Sequence, residues 1–213
     1  DALFSSTIQR GLRLVVFIGL PASAGLILVR NPLAATMFQG VNFSSEDALV
    51  VGSILLGYAP AVWAYSMTQV LTKGFYAKDD AMTPVKIALV CVALNVVLNL
   101  VLIWTPLRTA GLAWSTAICS VVQVSILLIF IRKHIPSTVD SEVLRSWLLT
   151  LVLTLLMSGV VAVVVNALWE PSTDWMTSCI ALATAVLAGV IVVVIGSLLL
   201  KRPELHWVVG RQR

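Results

Sequence analysis

Six apolar stretches, each long enough to cross a bilayer, take up nearly the whole chain of 213 residues. A transmembrane helix needs about 20 consecutive apolar residues. Only 11% of the residues are charged, whereas a soluble domain carries about 25%. We therefore predict an all-α polytopic membrane protein with six transmembrane helices and no separate soluble domain. The predicted spans are residues 14–38, 48–71, 84–104, 110–131, 147–168 and 175–200.

The basic residues fall on one side of the membrane when both ends of the chain are placed in the cytoplasm. Only Arg30 and Arg108 then lie outside. Because an excess of Lys and Arg in short loops marks the cytoplasmic face, this asymmetry predicts a multi-pass protein with both ends inside. The basic residues flank the spans and form no continuous stripe, so we expect membrane lipids and no nucleic acid as partners. The residues placed inside are Arg10, Arg13, Lys73, Lys78, Lys86, Arg132, Lys133, Arg145, Lys201, Arg202, Arg211 and Arg213.

The hydrophilic segments divide the chain into four parts. Residues 1–134 are predicted to form four transmembrane helices, 135–146 a cytoplasmic linker, 147–200 a transmembrane hairpin, and 201–213 a cytoplasmic tail. The chain begins with Asp1 and a polar stretch that resembles the end of an earlier segment. We expect it to be a fragment of a longer membrane protein.

Two prolines, Pro21 and Pro60, lie inside predicted spans. A proline removes one backbone hydrogen bond and bends the helix. Helices that bend during a transport cycle often contain such a break. A fixed kink that only shapes packing is the alternative.

Polar residues within the spans are few, and no Asp, Glu, Lys or Arg lies at the middle of one. This argues against a voltage sensor or a proton relay contained in these residues. Asn95 and Asn99 are four residues apart and share one helix face, and Ser115 and Thr116 at the start of the next span could face them. Their oxygens suit a small cation such as Na⁺. Hydrogen bonding between the two helices is the alternative.

The chemistry of an enzyme is not apparent in the sequence. Asp79, Asp80 and His134 are too scattered to form an acid–base or metal cluster, so we nominate no catalytic residue and no metal ligand. Adjacent carboxylates do not share a helix face. The three cysteines lie inside spans without paired spacing, as buried small side chains do.

The loop between the second and third spans carries the most specific motif. Its Thr83 and Pro84 predict the N-cap and first residue of a helix. The loop can serve structure alone or contact a substrate. Its run from Gly74 to Val85 resembles the MurJ/MviN family of lipid II flippases, in which an aromatic-Tyr-Ala segment precedes Asp and Thr-Pro-Val. The matching residues are Phe75, Tyr76, Ala77, Asp79, Thr83 and Pro84; Leu20, Pro21, Ala22 and Gly25 before the loop fit the same order, as do Asn95, Asn99, Gly111, Leu112 and Ala113 after it.

The resemblance implies a transporter in the bacterial cytoplasmic (inner) membrane, of the multidrug/oligosaccharidyl-lipid/polysaccharide exporter superfamily. By this resemblance the full protein would have fourteen helices, arranged as two lobes and a final hairpin, and this chain would supply the last six. Proteins of the MurJ/MviN family flip undecaprenyl-linked peptidoglycan precursor, lipid II, by alternating access for cell-wall synthesis. The resemblance implies that this chain would work together with the N-terminal lobe of the same protein. Another polyprenyl-pyrophosphate-linked oligosaccharide, or a non-transporting scaffold of the same fold, is the alternative.

The resemblance also bears on coupling and on the lipid tail. No cofactor is expected, but Na⁺ or proton-motive coupling stays open, because some relatives bind a cation on the helix that matches Asn95 and Asn99. Where a relative has Asp at the second position, this chain has Asn99, which removes a charge. The family's final hairpin lines a groove for the lipid tail, and the apolar residues 148–168 and 177–200 suit that role.

Overall fold

The computed structural model describes residues 2–38, 44–135, 138–170 and 174–208. They form eight helices, of which the second and third make up one span. The six spans predicted from hydropathy are confirmed as helices long and apolar enough to cross a membrane. The helices are α1 (Ala2–Phe38), α2 (Ser45–Tyr58), α3 (Ala61–Tyr76), α4 (Met82–Leu102), α5 (Thr109–His134), α6 (Ser141–Leu168), α7 (Trp175–Leu199) and α8 (Pro203–Val208).

Helix α1 is the centre of the bundle. It packs against α2 and α3 on one side and against α6 and α7 on the other. Helix α5 completes the first group by packing on α2, α3 and α4, and α4 lies at its outer edge with most of its side chains exposed. The hairpin α6–α7 is therefore joined to the other spans mainly through α1.

The N-terminal ends of α1, α4 and α6 lie at the same end of the bundle as the C-terminal ends of α3, α5 and α7. We call this the basic end. There Gln9 Nε2 of α1 donates to the carboxylate of Asp140 at 3.1 Å, and Asp140 also caps α6 by accepting from Val143 N–H at 2.9 Å. At the opposite end, Trp175 Nε1 donates to the Thr36 carbonyl at 3.0 Å. The hairpin is thus tied to α1 at both ends.

Pro60 interrupts the second span, whereas α1 continues through Pro21. Ala59 and Pro60 keep helical dihedral angles, but the missing N–H of Pro60 opens the hydrogen-bond ladder between α2 and α3. The freed Trp63 N–H donates to the buried Ser23 hydroxyl of α1 at 3.3 Å. The break is thereby stabilised by a neighbouring helix, as an interruption at membrane depth requires.

Helices α2 and α5 lie close together at Gly57. A Cβ atom at this position would lie 2.6 Å from the Ala113 Cβ, 3.1 Å from the Trp114 nitrogen and 3.2 Å from the Ala110 carbonyl oxygen. Two of these atoms belong to the backbone and cannot rotate away. Only glycine therefore permits this crossing, as small residues do in membrane bundles.

The segment predicted as a cytoplasmic tail, residues 201–213, contains the short helix α8, which packs on α1 and α7. The chain reverses at Lys201, which takes a left-handed conformation with φ 48°. Lys201 N–H bonds the Leu198 carbonyl at 3.1 Å and Arg202 N–H bonds the Ser197 carbonyl at 2.9 Å. These two bonds form the Schellman motif that ends many helices. The predicted linker 135–146 is also shorter, since α6 begins at Ser141.

Candidate functional site

The loop between α3 and α4 is shaped by its acidic residues. Asp79 has a φ of 59°, and the Asp80 N–H bonds the Phe75 carbonyl at 3.1 Å to close α3. The Asp80 carboxylate then accepts from the Thr83 N–H at 3.0 Å. The prediction that Thr83 caps the next helix is wrong: α4 begins at Met82, and Asp80 satisfies the free N–H instead.

The other motif residues of this loop divide into anchors and exposed groups. Phe75 is buried in the main core and Pro84 is buried in the first turn of α4. Tyr76 and Ala77 are exposed at the basic end. The anchors explain why the loop holds its shape, whereas Tyr76, which is 52% exposed, is free to contact another molecule.

Substitution of Asp79 and substitution of Asp80 should change the free energy of unfolding in opposite directions. We expect Asp80→Ala to lower the free energy of unfolding by about 1 kcal/mol, because a helix cap is lost. Asp79→Gly should raise it by up to about 1 kcal/mol, because glycine adopts a positive φ without strain. Denaturant titration of the full-length protein measures both. Equal effects of the two substitutions would contradict this assignment.

Asn95, Asn99 and Ser115 form a closed ring between α4 and α5. Asn99 Nδ2 donates to Asn95 Oδ1 at 3.0 Å, Asn95 Nδ2 donates to the Ser115 hydroxyl at 3.4 Å, and that hydroxyl donates to Asn99 Oδ1. It also lies 2.8 Å from the Leu112 carbonyl oxygen. Thr116 lies outside this ring and bonds the Leu112 carbonyl of its own helix at 3.1 Å.

The hydrogen-bonding groups of this ring are satisfied among its own members. Each of its three side-chain oxygens accepts a hydrogen bond from another member. None of the three side chains carries a negative charge, and a hard cation prefers carboxylate oxygens. We infer that the ring fastens α4 to α5 as a neutral interhelical contact.

An exchange of ions and one substitution test whether the ring is a neutral interhelical contact. Replacing Na⁺ with K⁺ should leave the melting temperature of the full-length protein unchanged. Asn99→Asp introduces a carboxylate beside two further oxygens, and we expect Na⁺ to stabilise this variant by about 1.4 kcal/mol at ten times its Kd. Thr116→Asp, one residue from the ring, is the control. Stabilisation of the unsubstituted protein by Na⁺ would show that the ring opens to a cation.

A buried charge network joins α1, α6 and α8 at the basic end. Glu204 is fully buried; its Oε1 lies 2.8 Å from Arg13 Nε and accepts from the Ser146 hydroxyl at 2.7 Å. Its Oε2 lies 3.0 Å from Nε of the buried Arg202. Arg202 Nη2 in turn lies 3.0 Å from both the Ser146 and the Thr150 hydroxyl oxygens. The buried carboxylate of Glu204 thus lies between two guanidinium groups, which compensate the charge that burial would otherwise leave unpaired.

No motif in the sequence predicts this network. By sequence, Arg13 is one of the basic residues that flank the spans, and Arg202 and Glu204 lie in the predicted tail. Two signals were present: Pro203 followed by Glu204 is a typical helix start, and Ser146 and Thr150 share one face of a helix. Neither reveals that the two elements meet, since they are more than 50 residues apart.

The network predicts a loss of stability in acid. Burial raises the pKa of Glu204, but hydrogen bonds from Ser146 and Arg13 and the charge of Arg202 outweigh it, so the pKa lies below its ordinary value of 4.5. A carboxyl group with a lowered folded pKa contributes stability above its unfolded pKa and loses it as the pH falls through the folded pKa. We expect thermal stability to fall below about pH 4.5, and this slope to be weaker in Glu204→Gln. An unchanged slope in that variant would contradict the assignment.

An apolar groove of about 600 Å³ lies between α1, α7 and α8, with α6 contributing Met157 and Val161. On α1 it extends from Phe17 to Val29, and α8 contributes Leu205. The hairpin thus lines an apolar groove, with α7 supplying a larger share than α6. Among the described residues, no three His, Cys, Asp or Glu side chains come together as metal ligands.

Comparison with known proteins places this geometry in a family. The family model described as lipid II flippase MurJ matches residues 1–185. A probable lipid II flippase MurJ of Vibrio cholerae is 29% identical over 58% of this chain and 23% of its own length. The lipid II flippase MurJ of Burkholderia cenocepacia is 30% identical over 62% of this chain and 25% of its own length.

A solved structure shares the fold. The lipid II flippase MurJ in an inward closed conformation matches 95% of this chain and 40% of its own chain with a TM-score of 0.78 at 20% identity. The present chain spans about a quarter of the length of the curated relatives named above. Since the family model covers most of the residues, from 1 to 185, the chain belongs to the MurJ family of lipid II flippases.

Proposed function

We propose that the protein to which this chain belongs flips lipid II across the bacterial cytoplasmic membrane for cell-wall synthesis. The observation that carries the proposal is the family match over residues 1–185. Six membrane-spanning helices and an apolar groove are consistent with a lipid-linked cargo. The protein acts as a transporter and makes or breaks no covalent bond.

The chain supplies one part of the machinery, and the N-terminal lobe supplies the other. Its basic end faces the cytoplasm, in keeping with the bias of Lys and Arg. The broken span at Pro60 gives α2 and α3 a point at which they can change their relative angle during alternating access. The bond from Trp63 N–H to Ser23 holds this point in the present conformation.

The proposal is tested in cells depleted of their own flippase. Expression of the full-length protein should make lipid II accessible to an externally added enzyme that cleaves its head group. Tyr76→Ala, in the exposed part of the family loop, should reduce this accessibility, and Trp104→Ala, which alters an exposed aromatic residue at the opposite end, should not.

The outcome also separates the alternatives. Absence of external lipid II despite membrane insertion of the full-length protein would overturn the proposal. Movement of another polyprenyl-linked oligosaccharide in the same cells would then identify a different cargo, and movement of neither would favour a scaffold.

A further inference from the structure

Two proline breaks lie beside each other in neighbouring helices. Pro21 of α1 and Pro60 of the second span each lack the N–H that would bond the carbonyl four residues earlier, so each opens the hydrogen-bond ladder of its helix. Trp63, in the first turn after Pro60, connects the two breaks through its backbone N–H, which donates to the Ser23 hydroxyl at 3.3 Å. Ser23 itself lies in the turn that follows Pro21. The two weakened turns are therefore in direct contact.

Gly19 brings the backbones of α1 and α3 together at the same place. A Cβ at Gly19 would lie 3.0 Å from both the Cα and the Cβ of Trp63. Gly19 and Ser23 are one helical turn apart, so they share a face of α1 and flank the turn that contains Pro21. A change in the direction of α3 at Trp63 is transmitted to α1, because no side chain of Gly19 separates the two backbones.

The Trp63 N–H has a second acceptor within its own span. In a regular α-helix it would donate to the Ala59 carbonyl, four residues earlier. In the structure that carbonyl accepts from the Val62 N–H at 3.2 Å instead, the shorter bond of a 3₁₀ turn. Pro60 has a ψ of −21°, which is 3₁₀-like and about 20° from the α-helical value. A dihedral change of this size would restore the α-helical bond from Trp63 to Ala59.

Both arrangements satisfy the buried polar groups at this contact. Ser23 is only 4% exposed, and its hydroxyl now accepts from Trp63. When Trp63 donates to Ala59, the Ser23 hydroxyl can donate to the Gly19 carbonyl one turn earlier, and such back-bonding bends a helix. An unpaired N–H at membrane depth is costly, which disfavours intermediates between the two arrangements. The contact is thus an element with two discrete states.

We propose that the Trp63 N–H exchanges between the Ser23 hydroxyl and the Ala59 carbonyl as the protein alternates its access, so that α1 and the second span change their bends together. Ser23 is the positioning residue of this switch. The switch rests on the proposed transport of lipid II by alternating access, and it couples the movements of two helices within that cycle.

The angle between the two halves of the second span reports the state of the switch. Spin labels on non-natural amino acids at Val50 of α2 and Lys73 of α3, both exposed, follow this angle in the full-length protein. Double electron–electron resonance should show two distance populations. Ser23→Ala removes one acceptor, and we expect it to shift their ratio about fivefold toward the continuous helix, as the loss of one hydrogen bond does. Ser66→Ala is the matched control, because its hydroxyl bonds the Val62 carbonyl of its own helix at 3.3 Å.

Pro60→Ala is a second variant that tests the same switch from the other helix. It restores the missing N–H, so we expect the continuous-helix population alone. A single population in the unsubstituted protein would overturn the proposal. So would a ratio that Ser23→Ala shifts no more than Ser66→Ala does.

Accessibility of lipid II to an external enzyme, in cells depleted of their own flippase, separates the switch from the proposed function. We expect Pro60→Ala to abolish this accessibility, Ser23→Ala to reduce it, and Ser66→Ala to leave it unchanged. Undiminished accessibility in both Pro60→Ala and Ser23→Ala would overturn the switch and leave the proposed function standing. Absence of accessible lipid II with the unsubstituted protein would overturn the proposed function, whereas the distance populations would still decide whether Trp63 exchanges its acceptor.

Discussion

Glu204→Gln is expected to lower the free energy of unfolding of the full-length protein by about 3 kcal/mol or more. Removing one partner of a buried ion pair leaves the other charge unpaired in a medium that solvates it poorly. Here the variant would leave Arg202, which is 3% exposed, and Arg13 facing each other without the carboxylate between them. Denaturant titration in micelles at pH 7 measures the change.

Two controls separate the charge effect from loss of packing. Glu142→Gln removes an exposed carboxylate that lies 3.6 Å from the same Arg13, and we expect a change below about 1 kcal/mol because exposed pairs contribute little. Replacing both Glu204 and Arg202 by leucine should recover much of the stability, since an apolar pair of similar volume is often neutral. If Glu204→Gln and Glu142→Gln have equal effects, the buried network does not hold α8 in place.

Gly57→Val is expected to destabilise the protein by about 3 kcal/mol, at the upper end of overpacking effects. The added atoms would collide with the backbone of α5 at Ala110 and Trp114, which can be relieved only by separating α2 from α5. Gly159→Val is the matched control, because a Cβ there meets no atom within 4 Å. Equal stability of the two variants would show that α2 and α5 do not cross at Gly57.

The spans could be predicted because their signal is local. A long run of apolar residues in a bilayer satisfies its backbone hydrogen bonds by forming a helix. The predicted start of the last span at Trp175 agrees with the start of α7. The pairing of Asn95 with Asn99 also follows from spacing along one helix. Ser115 was predicted to join them across a short turn, and the structure places its hydroxyl beside both.

Contacts between distant segments could not be predicted in this way. Burial of Glu204 depends on a left-handed turn at Lys201, which a lysine seldom adopts, and on Ser146 in another helix. Sequence alone presents Glu204 as one charge in a polar tail. The capping residue of α4 could not be predicted for a different reason. Asp80 and Thr83 are both residue types that suit an N-cap, and the position at which α4 begins decides between them.

We propose that the full-length protein moves lipid II, and one measurement tests this directly. We would reconstitute it in vesicles with fluorescent lipid II and add a quencher that does not cross the membrane. We expect label from the inner leaflet to become accessible to the quencher, while fluorescent phosphatidylcholine in the same vesicles stays protected. No movement of lipid II by folded protein, or equal movement of both lipids, would contradict it.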